Sequence, residues 1–205
     1  MNRSESPTSD DLATLAELLS SQVRAGVLAH AVTHPDDRFS LTEIGRTLGL
    51  AISSVQHECY KLQRLGVFRD RREGASRRYA LQTDEPVVMA LRDLVVATLG
   101  VPAVVERALA ELPGLSAATL LGAIPARDGE TALVLIGDLP LETVELAQRR
   151  VAWLVDSPVD AIEIAYFRPA DWLARREAGH PLVRRLLDLP VRVAFGEVRA
   201  ADEEA

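Results

Sequence analysis

The stretch from Leu41 to Leu81, LTEIGRTLGLAISSVQHECYKLQRLGVFRDRREGASRRYAL, constrains the fold more than any other part of the chain. Leu41, Ile44 and Leu48 recur at helical spacing and predict a helix over 41–48. Gly49 follows where a helix C-terminus takes a left-handed residue. Ser53 or Ser54 is placed to cap a second helix by accepting from a backbone N–H. In that helix Val55, Cys59, Leu62 and Leu65 form an inward face. Ser54, Gln56, His57, Tyr60, Lys61 and Arg64 form the outward one. Gly66 ends it. Residues 67–70 and 77–81 then read as short strands around Glu73-Gly74-Ala75-Ser76.

Helix, turn, helix and hairpin in that order make a winged helix-turn-helix. The hairpin carries Arg69, Arg71, Arg72, Arg77 and Arg78 against only Asp70 and Glu73. Phosphates and base edges need cations and hydrogen-bonding groups of this kind. Ser54, Gln56, His57 and Lys61 are candidates for base edges, Arg64, Arg71, Arg72, Arg77 and Arg78 for phosphates, and Ser53 and Tyr60 complete the candidate DNA-binding set. By itself a charged helix face is more often just a solvated one. The basic hairpin directly after the second helix is what favours DNA.

Charge is distributed unevenly along the 205 residues. Residues 12–83 carry a net +3, whereas residues 84–205 carry −8. A basic segment in an acidic chain points to nucleic-acid contact through the first part alone. The single cysteine, Cys59, excludes an intrachain disulfide and fits a reducing compartment. On an apolar helix face it reads as a structural thiol. No apolar run reaches the length of a membrane span, and the polar start MNRSESPTSDD lacks a signal-peptide core, so the expected location is cytoplasmic.

Residues 1–10 read as a disordered tail. Asp10 or Asp11 is placed to cap a helix running to His34, with Ser20-Ser21 marking a break, and Pro35 ends it. Ser40 or Thr42 caps the next helix. After Asp84-Glu85-Pro86, the pattern predicts helices over 87–99 and 101–112, strands over 117–122 and 132–137, and a helix over 141–154. A strand over 159–167, helices over 170–178 and 181–187 and a strand over 191–195 complete it. Strands alternating with helices predict a mixed sheet. The reading is α+β: a winged helix-turn-helix over 11–83, a linker or dimerisation helix over 84–100, and an α/β domain over 101–205.

Residues 19–81 resemble an ArsR/MarR-type winged helix. The likeness is carried by Leu19 to Arg24, His34-Pro35, Phe39, Leu41 to Gly45, Ser54-Val55-Gln56, Leu62, Leu65-Gly66-Val67 and the wing from Arg71 to Tyr79. Residues 86–197 resemble the nucleotidyltransferase-like domain fused to such regulators, a small relative of DNA polymerase β. Here the likeness rests on element order, on Leu133 to Asp138, and on the segments Phe167 to Trp172 and Val191 to Gly196. The resemblance implies a bacterial transcriptional regulator that binds double-stranded DNA as a homodimer.

Active members of the second family carry Gly-Ser after the first strand and Asp-x-Asp on the second, which grip a triphosphate and two metals. This chain has Gly122-Ala123 and Glu130-Thr131-Ala132 at those places. Nucleotidyl transfer is therefore expected to be absent, with no catalytic residue, metal or cofactor. The alternatives are an active nucleotidyltransferase, or a sensor that binds a nucleotide or a protein in a degenerate pocket around Gly122, Arg127 and Glu130. His30, His34, His57 and His180 are not spaced as metal ligands.

Overall fold

The computed structural model describes residues 11–74, 76–127 and 130–197, and the chain divides into two compact units, 1–104 and 105–205. The expected tail over 1–10 and the acidic end over 202–204 lie outside the described residues.

In the first unit, helices α1 (Asp11–Leu18) and α2 (Gln22–Thr33) are separated at the predicted break. Ser20 takes φ +52°, and the Ser21 hydroxyl accepts from Arg24 N to cap α2. A two-residue strand, β1 (Arg38–Phe39), was not legible in sequence. Helix α3 (Leu41–Thr47) starts in a full capping box, in which Glu43 N donates to Ser40 Oγ and Ser40 N donates to the Glu43 carboxylate. Of the two candidate caps, the structure uses Ser40.

Helix α4 (Ile52–Arg64) begins earlier than the serines suggest. Its N-cap is Ala51, which has no side-chain cap, and Ser53 and Ser54 lie inside the first turn with exposed side chains. Val55, Cys59 and Leu62 are buried as expected. Leu65 is not: it is 68% exposed, because the helix ends at Arg64 and Gly66 turns the chain at φ +76°. Strands β2 (Phe68–Glu73) and β3 (Ser76–Leu81) are longer than predicted and close the wing in a tight turn at Gly74. The sheet order is β1-β3-β2, all antiparallel.

Phe39, Phe68 and Tyr79 meet where β1, β2 and β3 join. The Phe39 and Phe68 rings lie edge to face at 5.4 Å and Phe39 stacks on Tyr79 at 6.2 Å. Each such pair contributes about 1 kcal/mol beyond its buried area, so the root of the wing is rigidly seated. Helix α5 (Pro86–Leu99) starts on Pro86 and packs against α1 and α2 in this unit.

Helix α6 (Val101–Leu109) is shorter than predicted. The second unit is built on a four-stranded mixed sheet of β4 (Leu115–Gly122), β5 (Thr131–Gly137), β6 (Glu163–Phe167) and β7 (Val191–Gly196) in the order β6-β5-β4-β7. Only β5 and β6 are parallel, and α7 (Leu141–Leu154) makes the crossover between them. The predicted strand over 159–167 is half right. Pro158 leads into a 3-10 turn over Val159–Ala161, and the strand starts at Glu163.

Leu121, Val134, Ile136 and Phe167 on one sheet face pack with Trp172 of α8 (Pro169–Glu177) and with Val183 and Leu186 of α9 (Pro181–Leu187). The Gln148 side chain of α7 donates to Ile162 O at 2.8 Å, and Arg150 Nη1 donates to Ala108 O at the same distance. No single helix among the described residues is long and apolar enough to cross a membrane.

Candidate nucleic-acid interface

Buried Val55, Cys59 and Leu62 seat α4 and leave its other side to solvent. Ser53, Ser54, Gln56, His57, Tyr60 and Arg64 are exposed, and Lys61 is half-buried. The Arg64 guanidinium lies 6.0 Å from the Tyr60 ring centroid, a cation–π contact that holds both side chains at the C-terminal end of the helix.

Glu58 is the residue the sequence pattern missed. It is buried between Val55 and Cys59 on the inward side of α4. Arg24 Nε donates to its Oε2 at 2.8 Å and Lys61 Nζ to its Oε1 at 3.2 Å. Burial pushes the Glu58 carboxyl up, but the two cations outweigh it and hold it below the ordinary carboxylate range. Lys61, expected at base edges, is therefore already engaged by its own helix. The signal was present: Glu58 stands three residues after Val55 and four before Leu62, which is an inward position.

In the wing the ladder register pairs Arg71 with Arg78 and Arg72 with Arg77. Like charges directly opposite each other are destabilising unless they are neutralised. One member of each rung is. Arg77 Nε lies 3.1 Å from Asp70 Oδ2. Arg78 donates through Nη1 and Nη2 to both Glu43 oxygens, at 2.9 and 3.1 Å, and through Nη1 to Arg38 O at 3.0 Å. Glu73 lies 3.5 Å from Arg78 Nε and accepts from Arg38 at 2.9 Å. The other members, Arg71 and Arg72, have no carboxylate partner among the described residues, and neither do Arg69 and Arg64. All four are exposed.

The expected pocket residues of the second unit come together only loosely. Gly122 is buried at φ +92°, its Cα against the Glu130 backbone where a Cβ has no room. Arg127 and Glu130 form a solvated pair at 3.9 Å. Thr131 donates to Ala123 O and accepts from Arg127 N, which closes the β4–β5 loop. Ala132 is buried within β5 next to Glu163 of β6, whose carboxylate accepts from Arg185. Asp160 is exposed in the 3-10 turn. Among the described residues no group of three or more His, Cys, Asp or Glu is placed to hold a metal ion. His180 caps α9, its Nδ1 accepting from Leu182 N, and His34 stacks on His30 at 4.5 Å.

No protein-family profile matches the sequence, and no curated protein matches it. Among solved structures the chain is similar to reduced HlyU from Vibrio cholerae N16961, at 22% identity and a TM-score of 0.32 over 42% of this chain and 86% of that one. It is also similar to NolR from Sinorhizobium fredii, at 17% identity and a TM-score of 0.29 over 47% of this chain and 98% of that one.

Proposed function

We propose that the first unit binds double-stranded DNA and that the chain is a transcriptional regulator. The observation that carries this reading is the pairing of a solvent-facing polar helix with a hairpin that keeps Arg69, Arg71 and Arg72 without carboxylate partners among the described residues. Cations left uncompensated opposite neutralised partners are suited to a polyanion. In this reading Gln56, His57, Ser53 and Ser54 approach base edges in the major groove, and Tyr60 flanks them. Arg64, Arg69, Arg71 and Arg72 sit on phosphates.

One winged helix covers little duplex, and twofold pairing brings two recognition helices to successive major grooves about 34 Å apart. The exposed Val87, Met89, Ala90 and Ala97 of α5 are the surface we assign to that pairing. The second unit serves regulation without chemistry, since buried Ala132 and solvated Glu130 stand where a metal-holding pair is needed.

Selection of bound sites from random duplexes tests the proposal. The expected result is an enriched motif with two related half-sites about one helical turn apart. No enrichment over input would reject DNA reading by sequence, and a single unrepeated half-site would reject the dimer.

A further inference from the structure

Resting on the DNA reading above, we infer that Arg78 is a positioning residue rather than a phosphate contact, and that with Glu43 it forms a clamp setting the angle between the wing and the helix-turn-helix. Glu43 belongs to two structures at once. As the third residue of α3 it accepts from Ser40 N at 2.7 Å and closes the capping box. The same carboxylate receives both terminal nitrogens of Arg78, a β3 residue 35 positions away in sequence. A two-toothed guanidinium–carboxylate bond fixes orientation as well as distance.

The clamp is braced on its far side. Arg78 Nη1 also donates to Arg38 O on β1, and Glu73 at the tip of β2 holds Arg38 and lies beside Arg78. The guanidinium thus touches α3, β1 and β2 while belonging to β3. Arg71, its direct partner across the ladder, has no carboxylate of its own among the described residues. The two arginines of one rung have divided the work: Arg78 faces the protein, and Arg71 is left for the ligand. The Ser40 backbone and hydroxyl bonds hold the Glu43 carboxyl below the ordinary range, and Arg78 adds to them.

The test measures binding of a labelled random-sequence duplex to the full chain by fluorescence anisotropy over a series of salt concentrations, below the melting transition of each variant. Arg71→Ala should weaken binding and lower the salt slope by about 0.9, as loss of one phosphate contact requires. Arg78→Ala should weaken binding about fivefold through lost preorganisation and leave the salt slope at its wild-type value. Glu43→Gln removes a negative charge, which by simple electrostatics strengthens binding to DNA. The clamp predicts that it weakens binding about as much as Arg78→Ala does, and that the double variant is no weaker than either single one.

A slope loss in Arg78→Ala equal to that of Arg71→Ala, or tighter binding by Glu43→Gln, overturns the clamp and leaves the DNA reading standing. If Glu43→Gln does not fold, Arg78→Lys decides: it keeps the charge and loses the fork, so weakened binding supports the clamp and wild-type binding overturns it. Absence of binding by the wild-type chain at low salt overturns the DNA reading and the clamp together.

Discussion

Arg24 Nε donates to Glu58 Oε2 across 2.8 Å, joining α2 to the inward side of α4 over 34 positions of sequence. The bond fixes the helix we assign to the major groove against the scaffold. Glu58→Gln should destabilise the chain by about 1–2 kcal/mol at neutral pH, the scale of a charge-assisted bond with one partly exposed partner. The loss has a pH signature. The folded Glu58 carboxyl titrates below its unfolded value. Its contribution is therefore complete above about pH 4.5 and disappears as pH falls through the folded value. Melting temperatures of both proteins from about pH 3 to 7 should converge at the acid end, and a gap of constant size would refute the pairing's role.

Cys59 is fully buried, and burial first, then the charge of Glu58, pushes its thiol up to about 12. A thiol so placed offers almost no thiolate at neutral or mildly basic pH. Ellman's reagent should leave the native chain unmodified at about pH 8 and react with it only at the rate of unfolding. Rapid labelling of the native protein would show that α4 opens locally.

Gln56 projects from the exposed side of α4, and its amide suits the paired acceptor and donor that adenine shows in the major groove. Gln56→Ala should reduce discrimination between a selected site and a scrambled duplex by about tenfold, with the salt slope unchanged. Competition binding reads this directly. Uniform weakening on both duplexes would move Gln56 from base reading to general contact.

The second unit should not transfer nucleotides. Incubation with labelled ATP or CTP and magnesium is expected to give no labelled product, because Ala132 offers no oxygen to a metal and Glu130 is paired in solvent with Arg127. Product that disappears in Glu130→Ala would restore an enzymatic reading.

The outline of the first unit was legible because it is written in local signals: the Ser20-Ser21 break, the candidate cap at Ser40 or Thr42, Gly66, and the two short strands flanking residues 73–76. Errors arose where one local signal competes with another. Ser53 and Ser54 look like caps, yet the chain enters α4 at Ala51. Leu65 fits the apolar period, yet the helix stops one residue short of it. Val159 to Ile162 alternates like a strand, but Pro158 leads into a 3-10 turn first. The roles of Lys61, Arg77 and Arg78 could not be read from composition, since a count of arginines does not show which carboxylate folds back on which. Glu43 and Arg78 meet only because β3 passes the start of α3.

The unequal rungs of β2 and β3 make ionic strength act differently on the two sides of the wing. In the unbound chain small ions screen the repulsion within the rungs and also the Asp70 and Glu43 pairs that offset it, so the two changes oppose each other and the hairpin should respond little to salt. In the complex the same ions compete with Arg71 and Arg72 for phosphate, so added salt should release the duplex. The arm can then let go of a polyanion without losing its own shape.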